Sequence, residues 1–125
     1  TNEHEIVYKD LSYQIINAAF EVHNTLGAGF LEKVYENALV IKLRKFGLKA
    51  EQQMPMKIQF EGEIAGEYYA DIMVEDKVML ELKCVESITP IHEAQVINYL
   101  KATQIKLGII INFTRPELEY KRIVL

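Results

Sequence analysis

The chain has 125 residues, of which 50% are hydrophobic and 26% charged, with a formal net charge of −4. That length suits one domain, residues 1–125, able to bury roughly two-thirds of its unfolded surface without covalent staples. No apolar run approaches the ~20 residues of a membrane span, and the acidic balance argues against extensive nonspecific wrapping of DNA. The single cysteine, Cys84, excludes an internal disulfide, and no Cys/His zinc spacing occurs. Segment 1–5 is polar and acidic, unlike a secretion signal. A cytoplasmic, reducing setting is the default expectation.

Helical spacing appears first. Ile15, Ile16, Ala19, Phe20, Val22, His23 and Leu26 recur along one face of a helix expected over residues 11–26. Asp10 or Ser12 is expected to cap its start, and Gly27 stands where a C-cap glycine belongs. A second helix is expected over residues 30–46, with Leu31, Val34, Tyr35, Ala38, Leu39 and Leu43 as its apolar stripe and Gly47 as its stop. The period then changes to two. Residues 48–53 and 56–60 read as strands separated by Pro55, and Glu61-Gly62-Glu63 as a turn. Residues 64–74 and 78–85 read as a hairpin closed at Glu75-Asp76-Lys77. Thr89 as N-cap and Pro90 as first helical residue open a helix through residue 103, with Ile91, Ala94, Ile97 and Leu100 as its stripe and Val96 beside them. Residues 107–113 are almost wholly apolar, the mark of a strand buried on both faces. Residues 119–125 read as an edge strand. A strand, helix, strand succession implies a parallel return, so the expected fold is α/β: a mixed central sheet flanked by helices.

The hairpin carries the chemistry. A three-residue turn pairs Val74 with Val78, Met73 with Met79 and Asp71 with Glu81. Alternation then puts Asp71, Met73, Met79, Glu81 and Lys83 on one face. Like charges directly opposite are unfavourable in a sheet, and the methionines argue that this face is partly covered. A buried, unpaired carboxylate costs several kcal/mol. A divalent cation resolves the conflict: Mg²⁺ is often held by one or two carboxylates, with water and phosphate completing its shell. Asp71 and Glu81 can supply the carboxylates, the Leu82 carbonyl a third oxygen, and Lys83 a charge beside a phosphate. On the next helix Gln95 and Tyr99 share a side, with His92 one turn earlier, and that side can point over the hairpin.

Blander readings exist for each feature. The hairpin charges can be a wet face with Lys83 paired across the strands. Gln95 can face water. Glu32 and Glu36 share a side of the second helix, and Glu32 in the first turn is explained by the helix dipole alone. His23 fits a satisfied core histidine. Cys84 fits a small buried hydrophobe.

In combination these residues resemble a known pattern. Asp71 followed by Glu81-Leu82-Lys83 looks like the signature of the PD-(D/E)XK nuclease superfamily, carried on a β-hairpin. Gln95-Val96-Ile97-Asn98-Tyr99 resembles the QxxxY element of several of its branches. Gly29-Phe30-Leu31-Glu32-Lys33-Val34-Tyr35 is similar to the motif that names the GxxExxY family of small bacterial proteins. The three motifs stand in the expected order within residues 23–113. The resemblance implies a restriction-endonuclease-like αβββαβ core with an additional N-terminal helix. It implies Mg²⁺ or Mn²⁺ held by Asp71 and Glu81, with Glu32 as a further acidic ligand. Lys83 and Gln95 would be catalytic, with Tyr99 positioning substrate. Alanine at position 70 departs from the proline of the motif's name, at a place that varies widely in the superfamily. The implied function is metal-dependent hydrolysis of phosphodiester bonds, in DNA before RNA. A chain of this size has little room for a DNA-reading module, so specificity would come from a homodimer or a protein partner. Two other classes stand beside it. One is a catalytically inactive binding or regulatory protein on the same fold, favoured by the acidic balance; Lys42, Arg44, Lys45 and Lys49 form only a modest basic cluster. The other is hydrolysis of a small phosphoester.

Overall fold

The computed structural model describes residues 6–125. Segment 1–5, expected to be unlike a secretion signal, lies outside the described residues. The element order is α1 (Lys9–Leu26), α2 (Glu32–Lys45), β1 (Ala50–Phe60), β2 (Glu63–Val74), β3 (Val78–Lys83), α3 (Pro90–Thr103), β4 (Leu107–Asn112) and β5 (Glu119–Val124). The five strands form one sheet in the order β1-β2-β3-β4-β5. All neighbours are antiparallel except β3 and β4, which run parallel on either side of α3. This is a mixed α/β sheet with flanking helices, the αβββαβ core from α2 to β4, preceded by α1 and followed by an edge strand. Among the described residues no helix is long and apolar enough to cross a membrane.

The core has two layers. Ile15, Ala18, Ala19 and Val22 of α1 and Tyr35, Leu39 and Leu43 of α2 pack on Ile72, Val74, Leu80, Leu82, Ile109 and Ile111 of the sheet. On the other side Val96 and Leu100 of α3 pack on Met56, Ala70, Met73, Met79, Ile110 and Ile123. β4 is buried along its whole length, because it lies inside the sheet with a layer on each face. Gly108 sets how closely α3 approaches: a Cβ there would stand 2.7 Å from Val96 Cγ1.

Several local expectations are corrected. The start of α1 is capped by neither Asp10 nor Ser12; Tyr8 occupies the cap in a left-handed conformation, and Ser12 Oγ accepts from Arg122 Nε of β5. Pro55 does not divide two strands. It sits within β1, an edge strand, where its missing N–H costs no ladder bond on the open side. The apolar stripe of α3 holds at Leu100, with Val96 beside it, but not at its start: Ile91 is 70% exposed and Ala94 is also open. On α2, Leu31 precedes the helix and is 79% exposed, and the buried face includes Glu36. The Thr89 cap formed as expected, with His92 closing a reciprocal capping box.

Candidate metal centre

The hairpin register is the expected one. Val74 pairs with Val78, Met73 with Met79 and Ile72 with Leu80. The turn closes through Lys77 N–H on Val74 O at 3.0 Å, with Glu75 and Asp76 both at positive φ. Beyond Ile72 the ladder stops and the two carboxylates meet. Asp71 N–H points at Glu81 Oε1 at 3.4 Å, and Leu82 N–H donates to Asp71 Oδ2 at 2.8 Å. Met73 and Met79, on the partly covered face, are fully buried.

β2 changes phase at this point. Tyr68, Ala70 and Met73 all pack in the α3-side cluster, whereas Ile72 and Val74 pack on the other side. Strict alternation cannot place 68, 70 and 73 together, so the pleat is interrupted between Ala70 and Ile72. Opposite, Gln53 of β1 has φ of 51°, the same interruption seen from the neighbouring strand. Asp71 and Glu81 therefore stand where a side chain from each layer reaches one of them. From the α2 side, Gln53 Nε2 bridges Glu36 Oε1 at 3.0 Å and Asp71 Oδ1 at 3.4 Å. From the α3 side, Tyr68 OH donates to Glu81 Oε1.

Glu32 and Glu36, one turn apart on α2, have different surroundings. Glu36 is buried and takes hydrogen bonds from Lys33, Gln52 and Gln53. Glu32 stays open to solvent; partial burial and then the charge of Asp71 push its carboxyl up, with Lys83 pulling the other way. The loop before Glu32 is fixed by Tyr35, whose hydroxyl donates to Gly27 O at 2.5 Å and accepts from Phe30 N–H at 3.2 Å. The Tyr35 ring is buried and stacks on Phe113 at 4.6 Å. Gly29 makes this joint at φ of 110°, a conformation that side chains avoid. The glycine and tyrosine of the motif thus place its glutamate.

A pocket of ≈170 Å³ opens beside Glu81, lined by Tyr68, Lys83, His92, Gln95, Val96 and Tyr99. Gln95 and Tyr99 of α3 line it together with Glu81 and Lys83. Leu82 buries its side chain in the core, and its backbone N–H donates to Asp71 Oδ2. The remaining singled-out residues are structural. His23 is buried, with Nε2 2.9 Å from Arg115 O. Burial pushes the Cys84 thiol up, away from the reactive thiolate. Three of the four residues in the basic cluster have local partners: Arg44 donates to Ala50 O, Lys42 pairs with Glu21, and Lys49 with Glu51 and Asp76.

Burial disfavours the charged form of both hairpin carboxylates. Burial, then the charge of Asp71, pushes the Glu81 carboxyl up to about 7. Burial is also the main cause raising Asp71, opposed by the Leu82 N–H and reinforced by Glu36. Among the described residues no lysine, arginine or histidine nitrogen lies within 4 Å of either carboxylate. Nor, among those residues, does any group of three or more His, Cys, Asp or Glu side chains gather closely enough to hold an ion alone. Two partly buried, uncompensated carboxylates suit a hard cation that takes the rest of its shell from water, backbone and substrate, as Mg²⁺ does. Period-two alternation places Tyr68 on the face opposite Asp71, which hid it from a sequence reading; only the interrupted pleat brings it to Glu81. Gln53 was hidden likewise.

A family model described as PD-(D/E)XK nuclease superfamily matches residues 9–123. Among solved structures, the crystal structure of SSO0001 shares the fold, with a TM-score of 0.53 at 20% identity over 74% of this chain. The chain spans about half of that protein, 48% of its length. No curated protein matches the chain.

Proposed function

The chain belongs to the PD-(D/E)XK nuclease superfamily, and from that premise we propose that it is a metal-dependent nuclease of the GxxExxY branch, a single domain that hydrolyses phosphodiester bonds in DNA. The observation that carries this reading is the placement of Asp71 beside Glu81 across β2 and β3, with no lysine, arginine or histidine of the described residues in ion-pair reach of either. These two carboxylates would hold Mg²⁺ or Mn²⁺, with the Leu82 carbonyl beside them and Glu32 as a further acidic group at the rim. When bound, the ion would acidify an attacking water and screen the phosphate. Lys83, lining the same pocket as Glu81, would stand beside the charge that develops on the phosphate. Gln95 would orient substrate from α3. With Lys42, Arg44 and Lys49 engaged in local contacts, grip on a duplex would come from a second copy or a protein partner.

The test is cleavage of supercoiled, linear, single-stranded and branched DNA, and of RNA, in Mg²⁺ or Mn²⁺. Glu81→Ala and Lys83→Ala run beside the unaltered protein. Cleavage of at least one DNA form, lost by 100-fold or more in Glu81→Ala, is expected. Cleavage unchanged in both variants would assign it to another site. Metal binding without cleavage of any substrate would favour a binding protein on the nuclease fold.

A further inference from the structure

Resting on the metal-centre reading above, we propose that Tyr68 is the residue that positions Glu81, and that Tyr99 acts through it as the platform for the Tyr68 ring. The two rings stack with centroids 3.5 Å apart at 14°. Tyr68 OH donates to Glu81 Oε1, the oxygen that the Asp71 N–H also approaches. Among the described residues no donor reaches Glu81 Oε2. The protein thus holds one oxygen of this carboxylate and leaves the other to the pocket.

The chain of support runs back into the fold. α3 is set close to the sheet by Gly108, whose missing Cβ admits Val96. Tyr99, one turn beyond Gln95, then presents its ring to Tyr68 rather than to open solvent. One face of the Tyr99 ring is covered by this stack, so that face is closed to a substrate base. Tyr68 reaches Glu81 only because β2 changes phase before Ile72. Groups that hold a metal-ligating carboxylate fix its orientation, and removing one typically weakens metal affinity by about 10–100-fold. On this account the tyrosine of the QxxxY element serves the carboxylate, by way of a second tyrosine from β2.

The test is calorimetric titration of the protein with Mn²⁺, with the thermal midpoint of the metal-free form measured alongside. Tyr68→Phe keeps the ring and removes the donor; it is expected to weaken Mn²⁺ binding about tenfold or more, with little change in the metal-free midpoint. Tyr99→Phe keeps the stack and is expected to bind Mn²⁺ like the unaltered protein. Tyr99→Leu removes the stack and is expected to weaken binding about as much as Tyr68→Phe, and the double variant no further. If Tyr99→Leu lowers the metal-free midpoint, the two phenylalanine variants still decide. Asp71→Ala separates the two levels of inference. Weak binding in Asp71→Ala with full affinity in Tyr68→Phe would overturn the role of Tyr68 and leave the metal centre standing. Full affinity in Asp71→Ala as well would overturn both. Loss of affinity in Tyr99→Phe equal to that in Tyr68→Phe would show that the Tyr99 hydroxyl, not its stacking, acts on the site.

Discussion

The two sides of the sheet are made of different materials. The α1/α2 side is branched aliphatic and aromatic, with Ile15, Leu39, Leu43, Leu80 and Ile109 fully buried and Tyr35 stacked on Phe113. The α3 side is built on Met56, Met73 and Met79, met by Val96 and Leu100 from the helix, with Ile97 and Tyr99 partly buried beside them. Branched side chains have few rotamers and specify one packing; methionine adapts to its surroundings. The first layer therefore fixes the fold, and the second adjusts around a polar pocket. Asp71 and Glu81 stand where the layers meet, at the point where β2 loses its period and leaves β3. The division also separates the helix motifs. The tyrosine of the α2 motif is a core residue that locates Glu32, whereas the polar side of α3 faces the pocket directly.

This division can be broken by substitutions on either side. Leu39→Ala opens a cavity in the rigid layer and is expected to cost about 2–5 kcal/mol, read as a lowered thermal midpoint, with Mn²⁺ affinity of the folded protein unchanged. Gly108→Ala places a Cβ 2.7 Å from Val96 Cγ1. Overpacking of this kind costs about 1–3 kcal/mol, and because it lifts α3 it is expected to reduce cleavage beyond what the loss of folded protein explains. Equal losses in the two measurements would mean that the α3 layer does not set the site. Met73→Leu keeps volume on the adaptable side and is expected to cost less than about 1.5 kcal/mol. Lys42→Ala, removing an exposed pair with Glu21, is expected to change stability by less than about 0.5 kcal/mol and to leave DNA binding as it was.

The pH dependence follows from Glu81. Burial, then Asp71, raises its pKa from the ordinary 4.5 to about 7. The folded state therefore holds a proton that the unfolded state has lost, and this carboxyl subtracts from stability as pH rises from about 4.5 to about 7. Glu81→Gln removes that dependence, so its stability relative to the unaltered protein is expected to grow across this window. A bound cation must displace the same proton. Mn²⁺ affinity is thus expected to climb with pH up to about 7 and then level. A flat profile from pH 5 to 8 would show that Glu81 carries no proton for the ion to displace.

Much of this was legible in the residues. Helical period marked α1, α2 and α3, the Thr89 cap marked the start of α3, and the apolar run at β4 announced a strand inside the sheet. The three-residue turn at Glu75-Asp76-Lys77 fixed the register that sets Asp71 against Glu81. What was not legible depended on tertiary contacts. Pro55 looked like a break because nothing local says that β1 is an edge. Ile91 looked like core because hydrophobicity does not say how far a helix extends past the sheet. Tyr68 and Gln53 were missed because period-two reasoning assumes an unbroken pleat, and the pleat breaks beside the site. Glu36 carried no signal separating it from Glu32, one turn away; only the glutamines of β1 make that distinction.

The central claim is that Asp71 and Glu81 share one divalent ion. The direct measurement is calorimetric titration with Mn²⁺ of the unaltered protein and of Asp71→Ala and Glu81→Ala, each shown folded by circular dichroism. Saturable binding in the unaltered protein, weakened by 100-fold or more in both variants, is the expected result. Affinity that survives both substitutions unchanged would contradict it.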